Sequence, residues 1–86
     1  MVPEVCRFLG IVVSIYYRDH EPPHFHVKYG EYEATVRIDD GKIEGRFPRR
    51  ATRLVLEWYA MHLDELRENW LLARQRKTLK KIEPLE

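Results

Sequence analysis

The chain has 86 residues, 44% of them apolar and ten of them aromatic, which suits one domain near the small end of what folds alone. Fifteen Lys and Arg stand against fourteen Asp and Glu, and a net charge of +1 excludes bulk attraction to nucleic acid or membrane. The single Cys6 excludes an internal disulfide and points to a reducing compartment, with a structural thiol as its plain reading.

Residues 9–17 are β-branched and aromatic and predict a strand. Ile11, Val13, Ile15 and Tyr17 then share one face, and Val12, Ser14 and Tyr16 the other. The apolar run at 9–15 is broken by Gly10 and Ser14 and is too short to span a bilayer. No basic-then-apolar secretion signal precedes it, so the expectation is a cytoplasmic protein without membrane contact. Residues 18–23 form a loop, because Pro22-Pro23 argues against helix and central strand.

Residues 25–38 read as a hairpin with Gly30-Glu31 as a type II′ turn. That turn sets Tyr29 opposite Tyr32, Val27 opposite Ala34 and Phe25 opposite Val36, all apolar. It sets Lys28 opposite Glu33, His26 opposite Thr35 and His24 opposite Arg37, all polar. Asp40-Gly41 is a type I′ signal, and it predicts Ile38 opposite Ile43, Arg37 opposite Glu44 and Thr35 opposite Arg46. Two independent turns keep the same residues on the same sides, as a half-buried sheet requires.

Pro48 suits the first turn of a helix, where its missing N–H costs little. Ala51, Leu54, Val55, Trp58 and Met61 make an apolar stripe. Leu63, Leu66, Trp70 and Ala73 continue it after a phase change near His62, and Asp64 is a candidate cap for a second helix. The fold class is therefore α+β: an antiparallel β-meander of three to four strands over about 9–47, covered on one face by one or two C-terminal helices over about 48–76, with a tail at 77–86.

This arrangement leaves a polar face carrying His24, His26, Lys28, Arg37 and Arg46, beside Tyr16, Glu33, Thr35 and Glu44. His24 and His26 lie two apart on a strand and point the same way, so one can remove a proton while the other supplies one. Lys28, Arg37 and Arg46 can hold a phosphate, and Tyr16 can stack a base. The plain alternative is a solvated face of alternating charges, which strand alternation produces by itself. Asp19, His20, His24 and His26 also offer three imidazoles and a carboxylate, enough for zinc or another divalent transition metal, at a spacing unlike the fixed zinc patterns. Arg49, Arg50 and Arg53 oppose the dipole at a helix start unless something acidic meets them. Pairing with Glu57 is the local alternative.

The segments Pro3-Glu4, Gly10-Ile11, Asp19-His20-Glu21-Pro22-Pro23-His24-Phe25-His26, Tyr29-Gly30-Glu31-Tyr32, Pro48-Arg49-Arg50-Ala51, Leu56-Glu57-Trp58 and Asn69-Trp70 together resemble the small bacterial domain-of-unknown-function 4160 family, over nearly the whole chain. The resemblance implies the toxin-like member of a toxin–antitoxin-type gene pair, with a cognate small antitoxin-like protein as partner. It brings no reaction with it.

The functional expectation is a toxin component of a type II-like module acting on RNA or translation. As an enzyme it would be a ribonuclease, with His24 and His26 catalytic and Tyr16, Lys28, Arg37 and Arg46 binding substrate. One alternative is a non-enzymatic protein-binding module with structural histidines, docking by the sheet edge or the arginine-bearing helix start. Another is a metal-binding protein using Asp19, His20, His24 and His26. An open sheet edge also permits a homodimer.

Overall fold

Strands occupy the N-terminal half of the computed structural model, which describes residues 3–85. They are β1 (Glu4–Phe8), β2 (Ile11–Ser14), β3 (His24–Tyr29), β4 (Tyr32–Arg37) and β5 (Ile43–Arg46), followed by α1 (Arg49–Met61) and α2 (Leu63–Arg74). The five strands form one antiparallel sheet in the order β1-β2-β3-β4-β5.

The strand count exceeds the expected three to four because β1 precedes the strand expected at 9–17, of which only Ile11–Ser14 forms β2. The chain reverses at Leu9 and Gly10, whose φ values of 49° and 83° are both left-handed. Such a reversal suits a hairpin, but at a leucine it costs roughly 1–2 kcal/mol, so the sequence does not advertise it. β1 itself hides its period. A bulge between Glu4 and Cys6 breaks the alternation, and Val5 and Cys6 are both buried.

The β3–β4 hairpin has the predicted register throughout, from His24 opposite Arg37 to Tyr29 opposite Tyr32. The β4–β5 register differs by two residues: Thr35 faces Glu44, and Arg46 faces Glu33. Asp40 is not among the left-handed residues, so Asp40-Gly41 is not a type I′ turn. Instead Asp40 Oδ1 accepts the Lys42 N–H at 3.0 Å, and the Gly41 N–H donates to the Arg37 carbonyl at 2.8 Å. Ile38 leaves the ladder for the core, donating its N–H to the Pro23 carbonyl at 2.9 Å and accepting the Tyr59 hydroxyl at 2.6 Å. A slip of two keeps every side chain on its face, so the polar and apolar sides are those expected.

Both helices pack on the apolar side. Phe25, Val27 and Val36 of the sheet, with Ile38 just beyond it, meet Ala51, Val55 and Trp58 of α1 and Leu66, Trp70 and Ala73 of α2 in one buried cluster. The Trp58 ring lies 5.7 Å from Phe8 and 6.0 Å from Phe25. Full burial of each such side chain stabilises by about 1.5–3 kcal/mol. Pro48 stands one position before the helix, as its N-cap. The chain breaks at His62, which is the N-cap of α2, while Asp64 lies inside the first turn and offsets the dipole there. Met61 departs from the expected stripe: it sits at the break and stays exposed.

The expected tail is part of the fold, although Glu86 lies outside the described residues. Ile82 is buried and donates its N–H to the Val5 carbonyl at 2.9 Å. Asn69 donates to the Lys80 carbonyl and accepts the Lys80 N–H, both at 2.8 Å. The Trp58 indole N–H donates to the Glu83 carbonyl at 2.8 Å. These bonds lash residues 77–85 across the helices to β1.

Candidate functional site

β3 sets His24 and His26 on the polar face, and the 18–23 loop returns Asp19 to both of them. His26 Nε2 lies 2.9 Å from Asp19 Oδ2, and His24 Nε2 lies 3.2 Å from the same oxygen. His24 Nδ1 lies 2.8 Å from the Pro22 carbonyl, which can only accept, so Nδ1 carries the proton. The loop is held from outside by Glu21, whose carboxylate is 3.4 Å from Arg74. Both rings have aromatic neighbours. Tyr16 meets His26 edge-on at 4.6 Å, and Trp70 lies 5.5 Å from His24. The three polar side chains are 20–32% exposed, open enough to meet a small ligand.

This geometry gives the histidines unequal roles. His24 has a partner at each ring nitrogen. His26 uses Nε2 on Asp19, and it lines an open groove on the polar face with Tyr16, Lys28, Thr35 and Glu44. The His24–Asp19 approach has a further feature. A neutral His24 protonated at Nδ1 presents a lone pair at Nε2 to a carboxylate oxygen. That contact is attractive only when a positive charge joins the two, as a proton on Nε2 or a metal ion between them.

The other expected residues are spread out. Tyr16 is beside His26, and Lys28 follows two residues along the same strand, exposed and with no ion pair among the described residues. Arg37 stands opposite His24, but its Nε donates to Asp40 Oδ1 at 3.2 Å and a second bond closes the fork. Arg46 lies at the far end of the face, opposite Glu33. His20 is exposed and outside the Asp19, His24 and His26 cluster.

Sequence reasoning missed Glu4 and Arg7, which also line the groove, because β1 was not visible as a strand; Ser14 of β2, expected on this face beside Tyr16, lines it too. It also missed Trp70 beneath His24, for which no local signal exists. The face mixes signs. The Arg7 guanidinium holds the Glu4 carboxyl below the usual carboxylate range, and Arg37 does the same to Asp40. Cys6 is buried, its thiol pushed up by burial, so it lacks the activation a nucleophile needs. Arg49, Arg50 and Arg53 are exposed at the start of α1, and no ion pair joins them to a carboxylate among the described residues. Arg50 borders an apolar hollow lined by Leu9, Tyr29, Ala51 and Leu54.

A five-stranded meander backed by two helices, with a carboxylate bridging two histidines at one corner, defines an α+β domain whose distinctive chemistry is one His–Asp–His cluster. Residues 10–71 match the model of a family described as Domain of unknown function (DUF4160), and the chain belongs to that family. The match spans β2 to most of α2 and includes the whole cluster. No curated protein and no solved structure gives a significant match. No helix among the described residues is long and apolar enough to cross a membrane.

Proposed function

We propose that this chain is the toxin-like half of a two-protein module and acts on RNA in the cytoplasm through the Asp19–His26 end of the polar face. The observation that carries the reading is the 2.9 Å contact between His26 Nε2 and Asp19 Oδ2. A carboxylate on one ring nitrogen fixes the tautomer and leaves Nδ1 as a base. In this role His26 takes the proton of a ribose 2′-hydroxyl. The 2′-oxygen attacks the neighbouring phosphorus, the bond to the 5′-oxygen breaks, and solvent protonates the departing oxygen. Tyr16 stacks a base, and Lys28 balances charge on the phosphate. His24 positions Asp19 rather than the substrate. The partner, a small antitoxin-like protein, silences the chain by covering this groove.

The test is growth after induction in a host without the partner, comparing wild type with His26→Ala at matched soluble expression. Arrest by wild type alone, with loss of RNA but not of its 2′-deoxy counterpart in vitro, is the expected result. Absence of both arrest and RNA loss overturns the reading.

Arg49, Arg50 and Arg53, exposed and without an ion pair among the described residues, favour a second reading, in which the chain is a protein-binding module with structural histidines. Arg50→Glu would then abolish capture of the partner, while the double change His24→Ala and His26→Ala would leave it intact.

A further inference from the structure

We infer that Asp19, His24 and His26 form a three-ligand site for one divalent transition-metal ion of the zinc class. The inference goes beyond the RNA reading, because metal binding is measured without any substrate. Three observations carry it. One donor atom from each residue falls in a group whose members lie within 4.8 Å of one another. The two nitrogen-to-oxygen separations, 2.9 and 3.2 Å, sit close to the edge of a coordination polyhedron. Ligands about 2.0–2.1 Å from a tetrahedral ion lie about 3.3–3.4 Å from each other, so little movement would seat an ion.

The second observation is the tautomer of His24. Its Nδ1–H donates to the Pro22 carbonyl, which aims the lone pair of Nε2 at Asp19. A metal-bound histidine commonly donates its remote N–H to a backbone carbonyl, which fixes the ring and raises its basicity. The same arrangement without a cation sets lone pair against carboxylate. The third observation is rigidity. Tyr16 braces the His26 ring, Trp70 braces the His24 ring, and the Glu21–Arg74 pair ties the loop that carries Asp19 to α2.

Two imidazoles and one carboxylate suit zinc, iron, nickel or copper, and suit calcium or magnesium poorly. Three protein ligands would leave a coordination position open for water or a substrate oxygen. His20 takes no part. Because the ion would use the atoms that otherwise orient His26, metal binding and the Asp19–His26 base are alternative uses of one carboxylate.

The experiment is calorimetric titration of zinc chloride into chelator-treated, untagged protein, with cobalt absorption as a second readout. Wild type should bind one ion per chain and give the intense visible bands of low-coordinate cobalt. Asp19→Asn and His26→Gln should each weaken binding by more than about tenfold, while His20→Ala should leave it unchanged. Circular dichroism confirms that each variant is folded, and Asp19→Asn is nearly isosteric. Absence of stoichiometric binding by folded wild type overturns the inference. So does binding that survives both Asp19→Asn and His26→Gln, or that His20→Ala removes.

Discussion

The two faces of this sheet share five strands and a single pleat, yet they answer to different forces. On the helix side Phe25, Val27 and Val36 are sealed beneath Trp58, and their positions are enforced by neighbours on every side. On the other side Lys28, Glu33 and Glu44 keep their solvent, and their positions follow from strand alternation alone. The His–Asp–His corner is where the polar face acquires tertiary constraint, because a loop returns Asp19 to it and α2 lends Trp70. The contrast teaches that stability and candidate chemistry lie on opposite sides of one backbone, so substitutions should separate them.

The hardest attempt to break that separation is Trp58→Ala. It removes the largest fully buried side chain and the indole bond to Glu83. A loss of about 3–5 kcal/mol in denaturant unfolding is expected. A loss near that of a surface change would mean the core is not where the structure puts it. Asn69→Ala comes next. It strands the Lys80 N–H and carbonyl beside a buried position, and a loss of about 1–3 kcal/mol is expected from thermal or denaturant melts.

His26→Ala should do the reverse. RNA loss and growth arrest should vanish while stability changes by less than about 1 kcal/mol, because the ring is part-exposed. A large loss of stability with activity retained would join the two faces again.

The smallest effect concerns acid. Arg37 and the Lys42 N–H hold the Asp40 carboxyl below its ordinary value, so the folded state binds its proton less readily than the unfolded chain. The contribution is fully present above the ordinary carboxylate value and is lost as pH falls through the lower folded one. Asp40→Asn should flatten that limb of melting temperature against pH, slightly, since the pair is exposed.

The β3–β4 hairpin was legible in full because two signals agreed, a glycine turn and unbroken alternation on both strands. The next hairpin was legible in its faces and misread in its register. Asp-Gly suggested a two-residue turn, and nothing in the sequence showed Ile38 being drawn into the core. β1 was concealed by its bulge and by a leucine at a left-handed position. At the site, the adjacency of His24 and His26 followed from strand parity. That Asp19 would reach both, and His20 neither, depended on a loop closing in space. The capture of Arg37 by Asp40 is local, three residues apart, and was open to a reader of helical and turn pairs.

The lashing of residues 77–85 onto β1 bears on the order in which contacts can form. The Val5 carbonyl accepts the amide of Ile82, so the first strand is tied to a segment far along the chain. Such a contact closes a long loop and is slow relative to formation of a hairpin such as β3–β4. The hairpins can therefore form while the Trp58 indole still awaits the Glu83 carbonyl, and the seal over the core comes after the sheet.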